Sequence, residues 1–155
     1  MQLAESLIRY DRTYLARKLL NEVDDALLYH QLALQISSTL YYDEAQAEAA
    51  GLLEMTISSL NSISSTPQRS LITSQYARLF GRFGQKNRSL DLFEKALKEA
   101  SDLDGRQLDV VKGLIALDQA KTLDISSANE TLSSLDAQFV KDSLGSEIIK
   151  TERVM

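Results

Sequence analysis

The residues that decide the fold are 76–96, which read YARLFGRFGQKNRSLDLFEKA. Tyr76, Ala77 and Phe80 have the spacing that puts a large, a small and a second large side chain on one helical face. Gly84 follows, and glycine readily ends a helix in a left-handed turn. A second helix then presents one face at helical spacing, formed by Ser89, Phe93 and Ala96. The stretch therefore predicts a helical hairpin whose two faces pack together.

The same pattern occurs once upstream and once downstream of this hairpin. In each copy, a small residue in the first helix precedes a small residue in the second helix by twelve positions. The three pairs are Ala33 with Ala45, Ala77 with Ser89, and Ala116 with Ala128. Recurring units of this kind are typical of stacked helical hairpins. We expect three units, over about residues 26–60, 67–102 and 105–138.

The two ends of the chain follow the pattern less closely. Residues 1–24 predict a partial unit, and residues 139–155 predict a C-terminal capping helix or tail that Gly145 interrupts. The weaker copy at the start consists of Leu3, Ala4 and Leu7, followed by Ala16, Leu20 and Val23.

Capping and helix-breaking residues mark several helix ends. Asp24 and Asp25 can cap a helix from Ala26, and Thr66 followed by Pro67 predicts another helix start. We expect Asp43 in the first turn of a helix over about residues 42–60, and Asn87 as the cap of the helix that follows Gly84. Two pairs with capping-box spacing, Asp104 with Gln107 and Ser127 with Glu130, predict helices from about Gly105 and Ala128.

The amino-acid composition favours some classes of protein for this chain and disfavours others. The 155 residues include 26 leucines and 15 alanines but only one proline, which favours an all-α fold. Lys and Arg number 17 against 22 Asp and Glu, so the net charge of -5 disfavours nucleic-acid binding. The uncharged stretch Met55 to Gln68 is too short and too polar to span a bilayer. We expect no membrane insertion, a soluble chain and a cytoplasmic location.

The residues that usually carry catalysis or hold metals are scarce. There is no cysteine, and His30 is the single histidine, so zinc sites built from several thiolates or imidazoles are excluded. Gly81 and Gly84 are not followed by the Lys and Ser or Thr of a phosphate-binding loop. We therefore expect no enzymatic activity, no metal site and no cofactor.

In residues 76–96 the order of small residue, aromatic, turn glycine, small residue, aromatic and alanine resembles the tetratricopeptide repeat family. The resemblance extends over about residues 26–138, although no unit contains the tryptophan of the family. The small positions Ala33, Ala77 and Ala116 are also 44 and 39 residues apart, against about 34 in the family. The resemblance implies a single domain over residues 1–155, in which antiparallel hairpins stack as a right-handed superhelix.

The resemblance also implies a function, because first helices of the family line a groove that holds a peptide. The groove residues would be His30, Leu34, Ser74, Arg78, Arg82, Leu117 and Lys121. Their basic and apolar character predicts an adaptor that binds a peptide or protein segment with acidic and apolar residues. Two alternatives remain open at this point. The chain could be a non-catalytic scaffold or self-association domain of a larger regulator or enzyme, in which case it could form homo-oligomers. It could also be a small secretion-type chaperone.

Overall fold

The computed structural model describes residues 14–43, 45–122 and 124–153, and within these ranges it contains helices and no strand. The all-α prediction is confirmed. The first helical segment, α1, covers residues 14–21 of the described part. The other helices are α2 at Ala26–Tyr42, α3 at Gln46–Ile57, a 3-10 turn at Leu60–Ser62, α4 at Thr66–Arg82, α5 at Lys86–Ala100, α6 at Gly105–Ala120, α7 at Ile125–Ser133 and α8 at Gln138–Arg153.

The chain divides into two compact units, Met1–Ile63 and Ser64–Met155. The first unit contains the hairpin of α2 and α3, and the second contains the hairpins of α4 with α5 and of α6 with α7. In the second unit α6 contacts both α4 and α5, and α8 contacts both α6 and α7. Each of these two helices therefore packs on both members of the hairpin before it. The prediction of one domain over residues 1–155 stays a prediction, and residues 1–13 of the partial unit lie outside the described residues.

The small residues of the repeated pattern are buried in all three hairpins. None of the six is more than 4% exposed, and they are Ala33, Ala45, Ala77, Ser89, Ala116 and Ala128. Small side chains at a helix contact allow the two backbones to approach closely, whereas a larger side chain would separate them. The positions selected by the twelve-residue spacing are therefore core positions.

Several predicted helix ends are confirmed. The Asp25 carboxylate accepts a hydrogen bond from the Leu28 backbone amide at 2.7 Å and caps α2. Helix α4 begins at Thr66 with Pro67 in its first turn, and Gly84 after it has a φ angle of +80°. A φ angle of this kind suits glycine because it has no Cβ to clash with the backbone.

Other predicted caps are wrong. Asn87 lies inside the first turn of α5, which begins at Lys86. Helix α7 begins three residues earlier than predicted, because Asp124 and not Ser127 is its cap and accepts a hydrogen bond from the Ser127 amide at 3.2 Å. Asp43 ends α2 instead of lying in the next helix. Helix α6 does begin at Gly105, but the Asp104 side chain makes no capping hydrogen bond.

A buried aspartate fixes the link between α7 and α8. Asp109 on α6 is 6% exposed, and its two carboxylate oxygens accept hydrogen bonds from the backbone amides of Asp136 at 3.0 Å and Ala137 at 2.8 Å. These amides would otherwise be unpaired at the start of a helix. The side chain of one helix therefore determines where the next two helices meet.

We predict that Asp109→Asn lowers the free energy of unfolding by about 2 kcal/mol, because one acceptor oxygen becomes an NH₂ group that faces an N–H donor. Urea denaturation followed by circular dichroism measures the change. Asp91→Asn, on the exposed face of α5, is the matched control and should change stability by less than about 0.5 kcal/mol. Equal stabilities for the two variants would contradict the role of Asp109.

A second prediction compares two helical glycines. A Cβ at Gly113 on α6 would collide with Leu144 and lie 3.1 Å from Val140, both on α8, whereas a Cβ at Gly51 on α3 meets nothing within 4 Å. Gly113→Ala should lower the free energy of unfolding, since overpacking costs about 1–3 kcal/mol and exceeds the gain in helix propensity. Gly51→Ala should raise it by about 0.5–1 kcal/mol. Urea denaturation followed by circular dichroism measures both changes. A Gly113→Ala variant as stable as Gly51→Ala would show that α8 does not pack closely against Gly113 of α6.

Candidate functional site

Polar side chains of the second unit converge where α4 packs against α6. The hydroxyl of Ser74 donates a hydrogen bond to one carboxylate oxygen of Asp118 at 2.8 Å. Nη1 of Arg78 donates to the other oxygen at 3.1 Å and forms an ion pair with it. Arg82 and Lys121 lie close enough to act electrostatically on the same carboxylate. Four of the predicted groove residues therefore surround one acidic group.

The surroundings of Asp118 act on the pKa of its carboxyl in two opposite directions. The residue is only 8% exposed, and burial raises the pKa of its carboxyl because a charged group loses its hydration there. The Arg78 charge, the Ser74 hydrogen bond and the charges of Lys121 and Arg82 act in the opposite direction. Three cationic side chains, Arg78, Arg82 and Lys121, therefore lie near one buried carboxylate. Basic residues gather here although the whole chain is acidic.

The surface around Asp118 changes character along its length. Val110 and Leu114 are 39% and 37% exposed, and they lie with Leu117 and Lys121 on one stripe of α6. Arg82 and Lys121 are exposed, whereas Arg78 and Leu117 are half-buried and Ser74 is fully buried. We call this surface the α4/α6 wall, and its residues are Arg78, Arg82, Val110, Leu114, Leu117, Asp118 and Lys121. It is apolar at one end and basic at the other.

The other two predicted groove residues belong to the first unit and are buried. His30 is 0% exposed, its Nε2 lies 3.4 Å from the Ser59 hydroxyl, and its ring meets Tyr29 edge to face. Leu34 is 7% exposed. A partner could not reach either side chain in this conformation. Of the seven residues, four lie around Asp118, whereas Leu117 packs against the buried cluster of Ala116, Ala120, Ala128 and Ile148.

The buried histidine gives the first unit a pH dependence. Burial lowers the pKa of His30, and its hydrogen bond with Ser59 only partly opposes this shift. Below about pH 6.5 an unfolded chain protonates its histidine, while the folded unit resists protonation until the lower folded pKa is reached. The unfolded state then binds more protons, so stability must fall as the pH decreases through this window.

We therefore predict that the first unit becomes less stable between pH 7.5 and pH 5.5 and that His30→Phe, which cannot titrate, flattens this dependence. Amide hydrogen exchange of α2 and α3 at several pH values, corrected for intrinsic rates, measures local stability. The exchange of α5 serves as an internal control, because the second unit contains no histidine. An equally steep pH dependence in the variant would exclude His30 as its cause.

Asp118 is the residue of this site that the sequence prediction missed. It stands in the run Leu114–Ala120, and it follows Val111 and Ile115 at spacings of seven and three, which places it on their buried face. An aspartate on the buried face of an apolar run requires a partner. The sequence contains that signal, although it does not identify the partner.

The described ranges contain neither a metal cluster nor a membrane-spanning helix. No group of three or more histidines and acidic residues in these ranges could hold a metal ion. None of the described helices is long and apolar enough to cross a membrane. Comparison with models of known protein families, with curated proteins and with solved structures finds no match to this chain.

Proposed function

We propose that the chain is a tetratricopeptide-like adaptor, with no enzymatic activity of its own, whose α4/α6 wall binds a protein segment with acidic and apolar side chains. The main support for this proposal is the cluster of Arg78, Arg82 and Lys121 around the buried Asp118. The packing of α6 on both helices of the preceding hairpin, repeated by α8, supports a stacked array. The alternative of a purely structural domain gives no reason for a basic surface on an acidic chain.

The two ends of the wall would contribute differently to binding. The exposed aliphatic groups of Val110 and Leu114 favour burial of apolar side chains, at about 25 cal/mol per Å². Arg82 and Lys121 attract carboxylates, and this attraction is screened over about 8–10 Å near physiological ionic strength. Affinity should therefore decrease with salt but keep a salt-insensitive part. The polarity of the wall also favours one direction of the bound segment.

Arg78 would act as the centre of the site. One edge of its guanidinium is held by Asp118 at 3.1 Å, and Ser74 holds that carboxylate in turn. A guanidinium fixed on one side presents its remaining donors in a defined direction, which favours recognition of a planar carboxylate. Asp118 and Ser74 would then position Arg78 without contacting the partner.

Selection of peptides from a random display library against the full chain tests the proposal and requires no candidate partner. We expect enrichment of Asp and Glu together with Leu, Ile or Val. The variant Arg82→Glu with Lys121→Glu should weaken the selected peptides about 10- to 100-fold, because it turns two attractions into repulsions. Binding is measured by isothermal titration calorimetry at two salt concentrations.

The control is Lys18→Glu with Lys86→Glu, which changes the net charge by the same amount at exposed positions outside the wall. Lys86 lies in the first turn of α5, where a Glu is well tolerated, and Lys18 is exposed on α1. Peptides that bind the wall variant and the control variant equally well would refute the proposal and favour a scaffold or self-association domain.

A further inference from the structure

The hydroxyl of Ser74 lies between two hydrogen-bond acceptors but carries a single hydrogen. Its Oγ atom is 2.8 Å from Oδ2 of Asp118 and 2.9 Å from the backbone carbonyl oxygen of Leu71. A hydroxyl donates one hydrogen bond, so it cannot serve both acceptors fully. When Asp118 is ionised and receives this hydrogen, no hydrogen is left for the contact between Ser74 and Leu71. The arrangement therefore has room for one more proton.

A proton on Oδ2 of Asp118 completes this chain of hydrogen bonds. The new O–H donates to Oγ of Ser74, and the Ser74 hydroxyl turns to donate to the Leu71 carbonyl. Oδ1 of Asp118 still accepts from Nη1 of Arg78, which lies 3.1 Å away, because a neutral carboxyl keeps an acceptor oxygen. The change requires the rotation of one hydroxyl and no movement of a heavier atom. The same side chains therefore fit both protonation states of Asp118.

The charged groups around Asp118 come from two helices. Arg78 and Arg82 act on it from α4, and Lys121 acts on it from α6, its own helix. Helices α5, α7 and α8 also pack on α6, and none of their described charged side chains forms a hydrogen bond or ion pair with Asp118. Burial has a larger effect than these cations and the Ser74 hydrogen bond, so the pKa of Asp118 is raised above its usual value.

Protonation of Asp118 changes the charge that surrounds Arg78. Among the described residues, Arg78 has no hydrogen bond or ion pair besides those with Asp118. Its side chain is partly exposed on the α4/α6 wall. A carboxylate of a bound segment would share this guanidinium with ionised Asp118, and the two negative charges would repel each other. The neutral acid removes this repulsion and leaves the charge of Arg78 to the segment.

We propose that Asp118 is a proton-binding site that regulates the α4/α6 wall, so that the wall binds an acidic segment more tightly when Oδ2 of Asp118 carries a proton. The effect on the segment rests on the proposed function of the wall, whereas the proton site does not. Because coupling between two ligands is reciprocal, a bound acidic segment also favours protonation of Asp118. The proton comes from the solvent, and no bond other than the O–H of the carboxyl forms or breaks.

The proton site is tested first, without any ligand. Nuclear magnetic resonance of the full chain, labelled with ¹³C in its aspartate carboxyl groups, follows the carboxyl signal of Asp118 as the pH changes. We expect this signal to titrate with a midpoint above about pH 3.9, the usual value for an aspartate. A midpoint at or below that pH would overturn the proposal, because the surroundings of Asp118 would then favour its ionised form.

The coupling is tested with a blocked hexapeptide of three leucines followed by three cysteic acids, whose sulfonates stay ionised when the pH is lowered. Isothermal titration calorimetry should give an affinity about 5- to 10-fold higher below the Asp118 midpoint than above it. Asp118→Asn imitates the neutral acid, because its NH₂ group can donate to Ser74, and should keep the higher affinity at every pH. Asp91→Asn, on the exposed face of α5, is the matched control and should show the pH dependence of the parent.

The outcomes separate this proposal from the proposed function. Equal affinity of the parent on both sides of the midpoint, or an equally steep pH dependence in Asp118→Asn, would overturn regulation by Asp118 and leave binding at the wall intact. If Asp118→Asn does not fold, the parent still decides, since a midpoint that is the same with and without bound peptide would also overturn the coupling. A peptide that binds neither the parent nor Asp118→Asn at any pH would refute the proposed function, and with it the regulation, while a raised midpoint would still establish the proton site.

Discussion

The close approach of helices at small side chains is the constraint on which the rest of the second unit depends. Ala77, Ala96 and Ala116 are 0% exposed on helices that contact each other. At the hairpin end, a Cβ on Gly81 would come within 3.0 Å of both the Ser89 hydroxyl and a Thr122 methyl. Backbones this close leave little freedom in the relative positions of the helices. The side chains of α4 and α6 therefore meet in one register, and that register brings Ser74 and Arg78 to Asp118.

This packing could be predicted from the sequence because its signals are local and repeated. Ala77 and Phe80 define a helical face within one turn, and Gly84 ends the helix through a backbone preference that needs no tertiary partner. The recurrence of a small residue twelve positions later, as in Ala77 and Ser89, adds a second, independent signal for a hairpin. The groove residues on α4 and α6 came from the resemblance to the tetratricopeptide repeat family, applied in the same register. The inclusion of His30 failed as a surface prediction because periodicity alone does not tell which polar residue on a helical face is buried.

The polar interactions between distant residues could not be predicted in the same way. Asp109 binds amides 27 and 28 residues later, and Asp118 binds a hydroxyl 44 residues earlier. Each bond depends on the relative position of two helices, which a one-dimensional pattern does not contain. Competition between neighbouring caps is a shorter-range version of this problem: Asp124 and Ser127 can both begin a helix, and the carboxylate of Asp124 takes the Ser127 amide. The sequence therefore identifies the helices better than the groups that join them.

The buried polar groups of the second unit divide into two kinds, and the difference bears on stability. Asp109 and Asp118 are nearly inaccessible, and each of their carboxylates receives two hydrogen bonds, which is the usual state of a polar group that stabilises a fold. Gln119 is the direct neighbour of Asp118 and is also buried, yet its Oε1 atom has no hydrogen-bond partner among the described residues. Because this oxygen is closed off from solvent, its missing hydrogen bond lowers the stability of the fold and offers no contact to a partner outside the chain.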